Sequence, residues 1–179
     1  MNKDNSLTET IKALVRGRGL KRVIVTGYSL GAATAALYLI SAGDELQQAG
    51  IDIRCVTFGC PRFIENHDVD KLPFHLTSRI MNTYVEGDPI PLGLTSMLGL
   101  TDYRHIGYSM VIDKCGERFR LHDGDGTRGH DEVIKWWGLK TPQAHLSENY
   151  DQKLKTIEDT LLKNKFRTFG VNAVRMTRV

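Results

Sequence analysis

Hydrophobic and polar positions divide the chain into a first half that alternates strand and helix and a second half that is less regular. Ser6-Leu7-Thr8-Glu9 reads as a capping box, with Ser6 as N-cap and Glu9 reaching back to it. Leu7, Ile11, Leu14 and Val15 then line one helical face, and Gly17 and Gly19 stop the helix. Residues 22–26 predict a buried strand, and a long helix follows from about residue 30 to 49, ending at Gly50. A second strand is predicted over 53–58 and a third over 79–85, with helical or irregular structure across 61–78. Strand, helix, strand, connection, strand describes a parallel sheet with crossovers, so the fold class is α/β.

In the second half, residues 104–112 and 117–121 predict strands joined through Lys114-Cys115-Gly116 as an antiparallel hairpin at one edge of the sheet. Asp123-Gly124-Asp125-Gly126 reads as a turn, because the positions that follow lack the ligands of a calcium loop. A short helix carries Trp136 and Trp137. The last helix starts near Ser147 and stacks Leu146, Tyr150, Leu154, Ile157 and Leu161 along one side.

Length and composition narrow the class. The 179 residues make one domain with a real core, and 41% hydrophobic and 25% charged residues are ordinary for a soluble globular protein. The longest largely apolar run, residues 32–40, is too short to span a bilayer, and residues 1–6 lack the apolar core of a signal peptide. Three cysteines (Cys55, Cys60 and Cys115) are too few and scattered for a disulfide framework, which favours a reducing, cytoplasmic setting. A net charge of +3 argues against dedicated nucleic-acid binding. Lys163, Lys165, Arg167, Arg175 and Arg178 occur without an acidic residue among them. The expected organisation is therefore a domain over 1–165 and a basic tail over 166–179, which is either a solvated end or a contact for anionic lipid headgroups.

Chemistry enters at residues 23–33. An apolar, β-branched run leads into Gly27-Tyr28-Ser29-Leu30-Gly31, and an alanine-rich helix follows. The bare Gly-x-Ser-x-Gly pattern would arise by chance in roughly one chain in twenty of this length. Its setting of strand, turn and helix is what makes it a nucleophile elbow, with Ser29 strained and exposed at the apex. Gly27 and Gly31 are expected because a side chain at either would collide where strand and helix approach.

A serine hydroxyl needs a base to take its proton and a third group to orient that base. On an elbow architecture the acid and then the histidine follow the serine in the chain. Asp88 suits the acid: it directly follows the third predicted strand, between Gly87 and Pro89, which make a rigid loop. Glu86 is its nearest competitor. Among six histidines, His67 and His75 precede the acid, and His105 starts a predicted strand, as a packed core residue would. His145, in a loop just before the pinned last helix, is the choice for the base, with His130 as runner-up.

Five blocks in order carry a family resemblance: Gly27-Tyr28-Ser29-Leu30-Gly31, Thr57-Phe58-Gly59-Cys60-Pro61-Arg62, Glu86-Gly87-Asp88-Pro89-Ile90-Pro91, Tyr103-Arg104-His105-Ile106-Gly107, and Ala144-His145-Leu146 with Tyr150. Together, over about residues 22–162, they resemble the class 3 lipases, the fungal-type triacylglycerol lipases of the α/β-hydrolase fold. The resemblance implies Ser29 as nucleophile, Asp88 as acid, His145 as base, and His105 as a structural neighbour of the site. It also implies an earlier strand whose end supplies a second oxyanion donor, and a lid helix. Here about twenty residues precede the elbow strand and read as one helix, so the expected fold is a truncated α/β-hydrolase. Tyr28 stands where the family usually has histidine, and Cys60 where glutamine or serine is common.

The expected activity is hydrolysis of lipid esters through an acyl-serine, with the Leu30 amide in the oxyanion hole and no metal or cofactor. The apolar stretch over 89–100 is either a buried segment or the wall of an acyl-chain pocket with transient lipid contact. The competing expectation is a non-catalytic or partner-completed module that assembles, as a homo-oligomer or with a partner chain, through the exposed edge of strand 22–26.

Overall fold

The structure, a computed structural model, describes residues 7–91, 103–124 and 142–164. Helix α1 (Leu7–Arg18) leads into β1 (Arg22–Tyr28), α2 (Leu30–Gln48) and β2 (Asp52–Phe58). Then come β3 (Ile64–Glu65), the short helices α3 (Asn66–Val69) and α4 (Phe74–Thr77), and β4 (Ile80–Val85). The second half contributes β5 (Tyr103–Arg104), β6 (Tyr108–Ile112), β7 (Phe119–Asp123), a 3-10 turn (Pro142–His145) and α5 (Ser147–Asn164).

Five strands form one sheet in the order β1-β2-β4-β6-β7. β1, β2, β4 and β6 pair in parallel, and β7 closes one edge antiparallel to β6. This is the α/β fold with a terminal hairpin that the pattern predicts. Side chains on alternate faces of the strands meet different helices. Ile53, Cys55 and Ile80 pack with Ala35, Ala36, Leu39, Ala42 and Leu46 of α2 and Val15 of α1. Val85 and Ile112 point the other way, into a cluster with Tyr150 and Ile157 of α5. The small residues of α2 let it lie close to its neighbours: a Cβ on Gly43 would sit 2.7 Å from Leu76 of α4.

Several expectations need correction. Leu7 and Leu14 are 61% and 53% exposed, because α1 turns Ile11 and Val15 into the core and joins α2 through Thr8 Oγ1 and the Tyr38 hydroxyl, 3.1 Å apart. Gly17 lies within α1, and Gly19, at φ 63°, follows its end. β1 is not buried but, among the described residues, lies at the edge of the sheet, and Ile24 is 59% exposed. Val23 and Val25 pack against the α2 side of the core, and Tyr28 against the α5 side.

The single strand expected over 104–112 is two strands. Gly107, at φ 85°, breaks the run where an added Cβ would meet Ile80 O at 2.5 Å. β5 pairs instead with β3, a two-residue antiparallel ladder inside the stretch read as helical or irregular. β7 starts two residues later than expected, since the turn at Asp113 takes up Glu117: its N–H donates to Asp113 Oδ1 at 2.9 Å. Leu146 is exposed at the entry to α5 and does not join its stripe. Ser6, His130, Trp136, Trp137, the basic tail and most of the apolar stretch over 89–100 lie outside the described residues, as does the side chain of Leu161. Among the described residues, no helix is long and apolar enough to cross a membrane.

Candidate active site

Ser29 sits between β1 and α2 with φ 55° and ψ −127°, in the left-handed region that costs a residue with a side chain on the order of 1–3 kcal/mol. The turn is held by the Ser29 N–H to Phe58 O, 2.9 Å, and by the Ala32 N–H to Ser29 O, 3.0 Å. Gly27 is required by space, because a Cβ there would lie 2.2 Å from Gly31 O. Gly31 is not: a Cβ on it would meet nothing within 4 Å. The close approach is made by the Gly31 carbonyl, so the expected collision exists from one side only.

β4 and the turn before α5 bring the remaining groups to the serine. β4 ends at Val85, and the turn through Gly87 (φ 92°) returns the Asp88 N–H to Val85 O at 3.0 Å. The Asp88 side chain is fully buried there. His145 ends the 3-10 turn before α5, and its Nε2 lies 2.8 Å from Ser29 Oγ. Its Nδ1 lies 2.9 and 3.1 Å from the two oxygens of Asp88. Burial pushes the Asp88 carboxyl above its ordinary range. The Tyr150 hydroxyl (2.6 Å), the His145 ring and the Ile90 N–H (2.9 Å) pull the other way. With the carboxylate ionised, Nδ1 carries the proton and donates to Asp88, which leaves the Nε2 lone pair for Ser29 O–H.

Leu30 opens α2, so its N–H has no acceptor within the helix and lies at the positive end of the helix dipole, beside Ser29. The Leu30 side chain is 75% exposed and that of Leu146 is 51% exposed. Two apolar groups thus stand directly after the serine and after the histidine in the chain.

The competing residues go elsewhere. Glu86 pairs with Arg120 at 3.2 Å on the surface. His105 is buried, with Nε2 3.0 Å from Pro91 O and its ring against Tyr84. His67 and His75 lie at the surface beside the carboxylates of Glu65 (3.3 Å) and Asp44 (2.6 Å). Among the described residues, Glu65, His67 and Asp68 could offer ligand atoms to a metal, but they are at the surface and Asp68 already binds Lys71 at 2.7 Å.

Two contributors have no clear local signal in the sequence. Gly59, at φ 56°, leaves the room in which His145 and Asp88 meet, since a Cβ there would come within 3.0 Å of His145 Cε1 and 3.2 Å of Asp88 Oδ2. The Tyr28 ring stacks on the His145 imidazole, with centroids 5.0 Å apart. Only the Thr57-Phe58-Gly59 block hinted at the first, through its place in the resemblance.

The model of the family Lipase (class 3) matches residues 2–95. The chain belongs to the class 3 lipase family. Solved structures agree on the fold. The triacylglycerol lipase whose catalytic centre is formed by a serine protease triad matches with a TM-score of 0.58 and 22% identity, over 79% of this chain and 52% of that one. A fungal lipase in complex with an inhibitor matches with a TM-score of 0.57 and 22% identity, over 80% and 53%. Lipase II from Rhizopus niveus matches with a TM-score of 0.54 and 20% identity, over 78% and 51%. This class 3 lipase chain thus spans about half the length of the solved structures it matches. No curated protein matches its sequence.

Proposed function

We propose that the chain is a serine carboxylic-ester hydrolase that cleaves lipid esters through an acyl-serine intermediate. The observation that carries this reading is the continuous hydrogen-bonded series from Ser29 Oγ to His145 Nε2 (2.8 Å) and from His145 Nδ1 to Asp88 Oδ2 (2.9 Å). In this reading Nε2 takes the Ser29 proton as Oγ attacks the ester carbonyl. The carbonyl π electrons move onto oxygen, and the Leu30 N–H donates to that oxyanion. Asp88 accepts the Nδ1–H throughout and stabilises the imidazolium that forms. Collapse of the tetrahedral intermediate expels the alkoxide, which leaves with the Nε2 proton. Water attacks the acyl-serine with the same base, and the acid departs as the serine is restored.

The lipid preference is supported by family membership and by the exposed Leu30 and Leu146, apolar residues that follow the serine and the histidine directly in the chain. Triacylglycerol, other acylglycerols and phospholipids all meet that requirement. We take residues 1–165 as one lipase-type domain and 166–179 as a basic tail. The three free thiols suit a reducing compartment such as the cytoplasm.

The test is release of p-nitrophenol from short- and long-chain p-nitrophenyl esters by the purified chain beside Ser29→Ala. Turnover lost in Ser29→Ala, with preference for long chains, is expected. Turnover indifferent to Ser29 would overturn the reading.

One observation favours a second reading. Among the described residues β1 pairs only with β2, which leaves its other edge open beside the nucleophile. In that reading a strand from a partner or a second copy completes the site by β-augmentation. A soluble monomer in sedimentation with full Ser29-dependent turnover would dispose of it.

A further inference from the structure

We infer that Tyr28 is a positioning residue for the proposed base: its ring holds the His145 imidazole at Ser29 and, through Tyr150, braces the acid. The inference rests on the hydrolase reading above and deepens it.

Tyr28 ends β1 and immediately precedes Ser29. Its ring lies 5.0 Å from the imidazole with planes 24° apart, a stacked pair. The same ring meets Tyr150 edge-on, at 5.9 Å and 75°. Tyr150 in turn donates its hydroxyl to Asp88 Oδ2 at 2.6 Å, and Phe58 supports it edge-on from β2 at 6.5 Å. One side chain therefore touches the base directly and the acid through a single intermediary.

This matters because His145 comes from a 3-10 turn rather than from the sheet. Its two hydrogen bonds restrain the imidazole within its own plane, and they leave tilt out of that plane weakly held. A ring stacked on the imidazole face removes that freedom. Tyr28 and Ser29 are consecutive, and their turn is tied to β2 by the Ser29 N–H to Phe58 O bond of 2.9 Å. The stacking surface and the nucleophile are thus fixed to the same rigid elbow. The imidazole is registered to the atom it must deprotonate.

The experiment uses the full chain as wild type, Tyr28→Leu and Tyr28→Phe, with p-nitrophenyl butyrate as the probe and imidazole proton and nitrogen resonances of His145 as a second readout. Tyr28→Leu is expected to lower kcat by about tenfold, the scale of one aromatic pair, with KM unchanged. Tyr28→Phe, which keeps the ring, recovers most of that loss. The His145 ring protons should be displaced upfield by the Tyr28 ring in wild type and Tyr28→Phe, and not in Tyr28→Leu.

A Tyr28→Leu enzyme with wild-type kcat overturns the proposal. So does a loss confined to KM, which would mark a substrate contact, or a Phe variant as impaired as Leu, which would assign the effect to the hydroxyl. Wild-type resonances without ring-current displacement overturn it even if Tyr28→Leu does not fold. Absence of any Ser29-dependent turnover in wild type would refute the hydrolase reading instead, and the resonances alone then decide the positioning role.

Discussion

The Tyr150 hydroxyl donates to Asp88 Oδ2 at 2.6 Å while its oxygen accepts the Val85 N–H at 3.2 Å. The phenol thus bridges the last residue of β4 and the carboxylate three residues later. Burial pushes the Tyr150 hydroxyl well above its ordinary range, and the neighbouring Asp88 charge adds to this, so it stays a donor. For Asp88 the same phenol is the foremost of the groups that offset the cost of burying its charge.

Tyr150→Phe removes that donor and leaves the Val85 N–H without its acceptor. Unfolding free energy in urea should fall by about 1–3 kcal/mol. The Asp88 carboxyl, already raised by burial, should rise further. Ionised Asp88 is what the proposed mechanism needs, so the acid limb of the kcat/KM profile should move to higher pH. An unshifted profile would mean that Tyr150 supports only the fold.

Gly27 and Gly31 should respond oppositely to alanine. In Gly27→Ala the new Cβ meets Gly31 O at 2.2 Å and Ala32 N at 2.7 Å, both backbone atoms of a turn that cannot yield. A loss of about 3 kcal/mol is expected. Gly31→Ala opens onto free space inside α2 and should stabilise by up to about 1 kcal/mol. Thermal melts of the two variants check both signs, and equal destabilisation would contradict the account of the elbow.

At the opposite end of β2, Asp52 receives Arg22 Nε at 2.6 Å, Arg79 at 2.6 Å and Arg54 at 3.3 Å. The Arg22 hydrogen bond first, then those from Arg79 and Arg54, hold its carboxyl below the ordinary value of 3.8. A depressed acid adds stability above that ordinary value and loses it as pH falls through the folded value. Asp52→Asn should therefore be less stable than wild type at neutral pH. The gap should close below the folded value and shrink with added salt. A pH-independent gap in urea midpoints would rule out the ion cluster as its source.

Local pattern was sufficient for β1, α2, β2, β4 and α5, whose apolar periods and glycine stops are long enough to read. It was insufficient for β3 and β5, since two residues carry no period and their pairing joins Ile64 to Arg104 across the chain. It also misjudged Leu7, Leu14 and Ile24. An apolar residue shows that a face could be buried, and only the placement of α1 beside α2 and of β1 at the sheet edge says whether anything covers it.

The sequence by itself determined the strained serine turn, because glycine spacing and β-branched and alanine-rich flanks are local causes with local effects. It also nominated Asp88 and His145, each from its own neighbourhood. Their meeting was decided by tertiary structure: the order β1-β2-β4 sets the strand ends side by side, and α5 anchors the turn that carries the imidazole. The same packing placed Tyr28 on His145, Tyr150 on Asp88 and an empty Cβ position at Gly59. Hydrogen bonds and ring contacts fall off within a few ångströms, whereas Ser29 and His145 are 116 residues apart in the chain. No periodicity within a segment can encode a distance that only the folded sheet makes short.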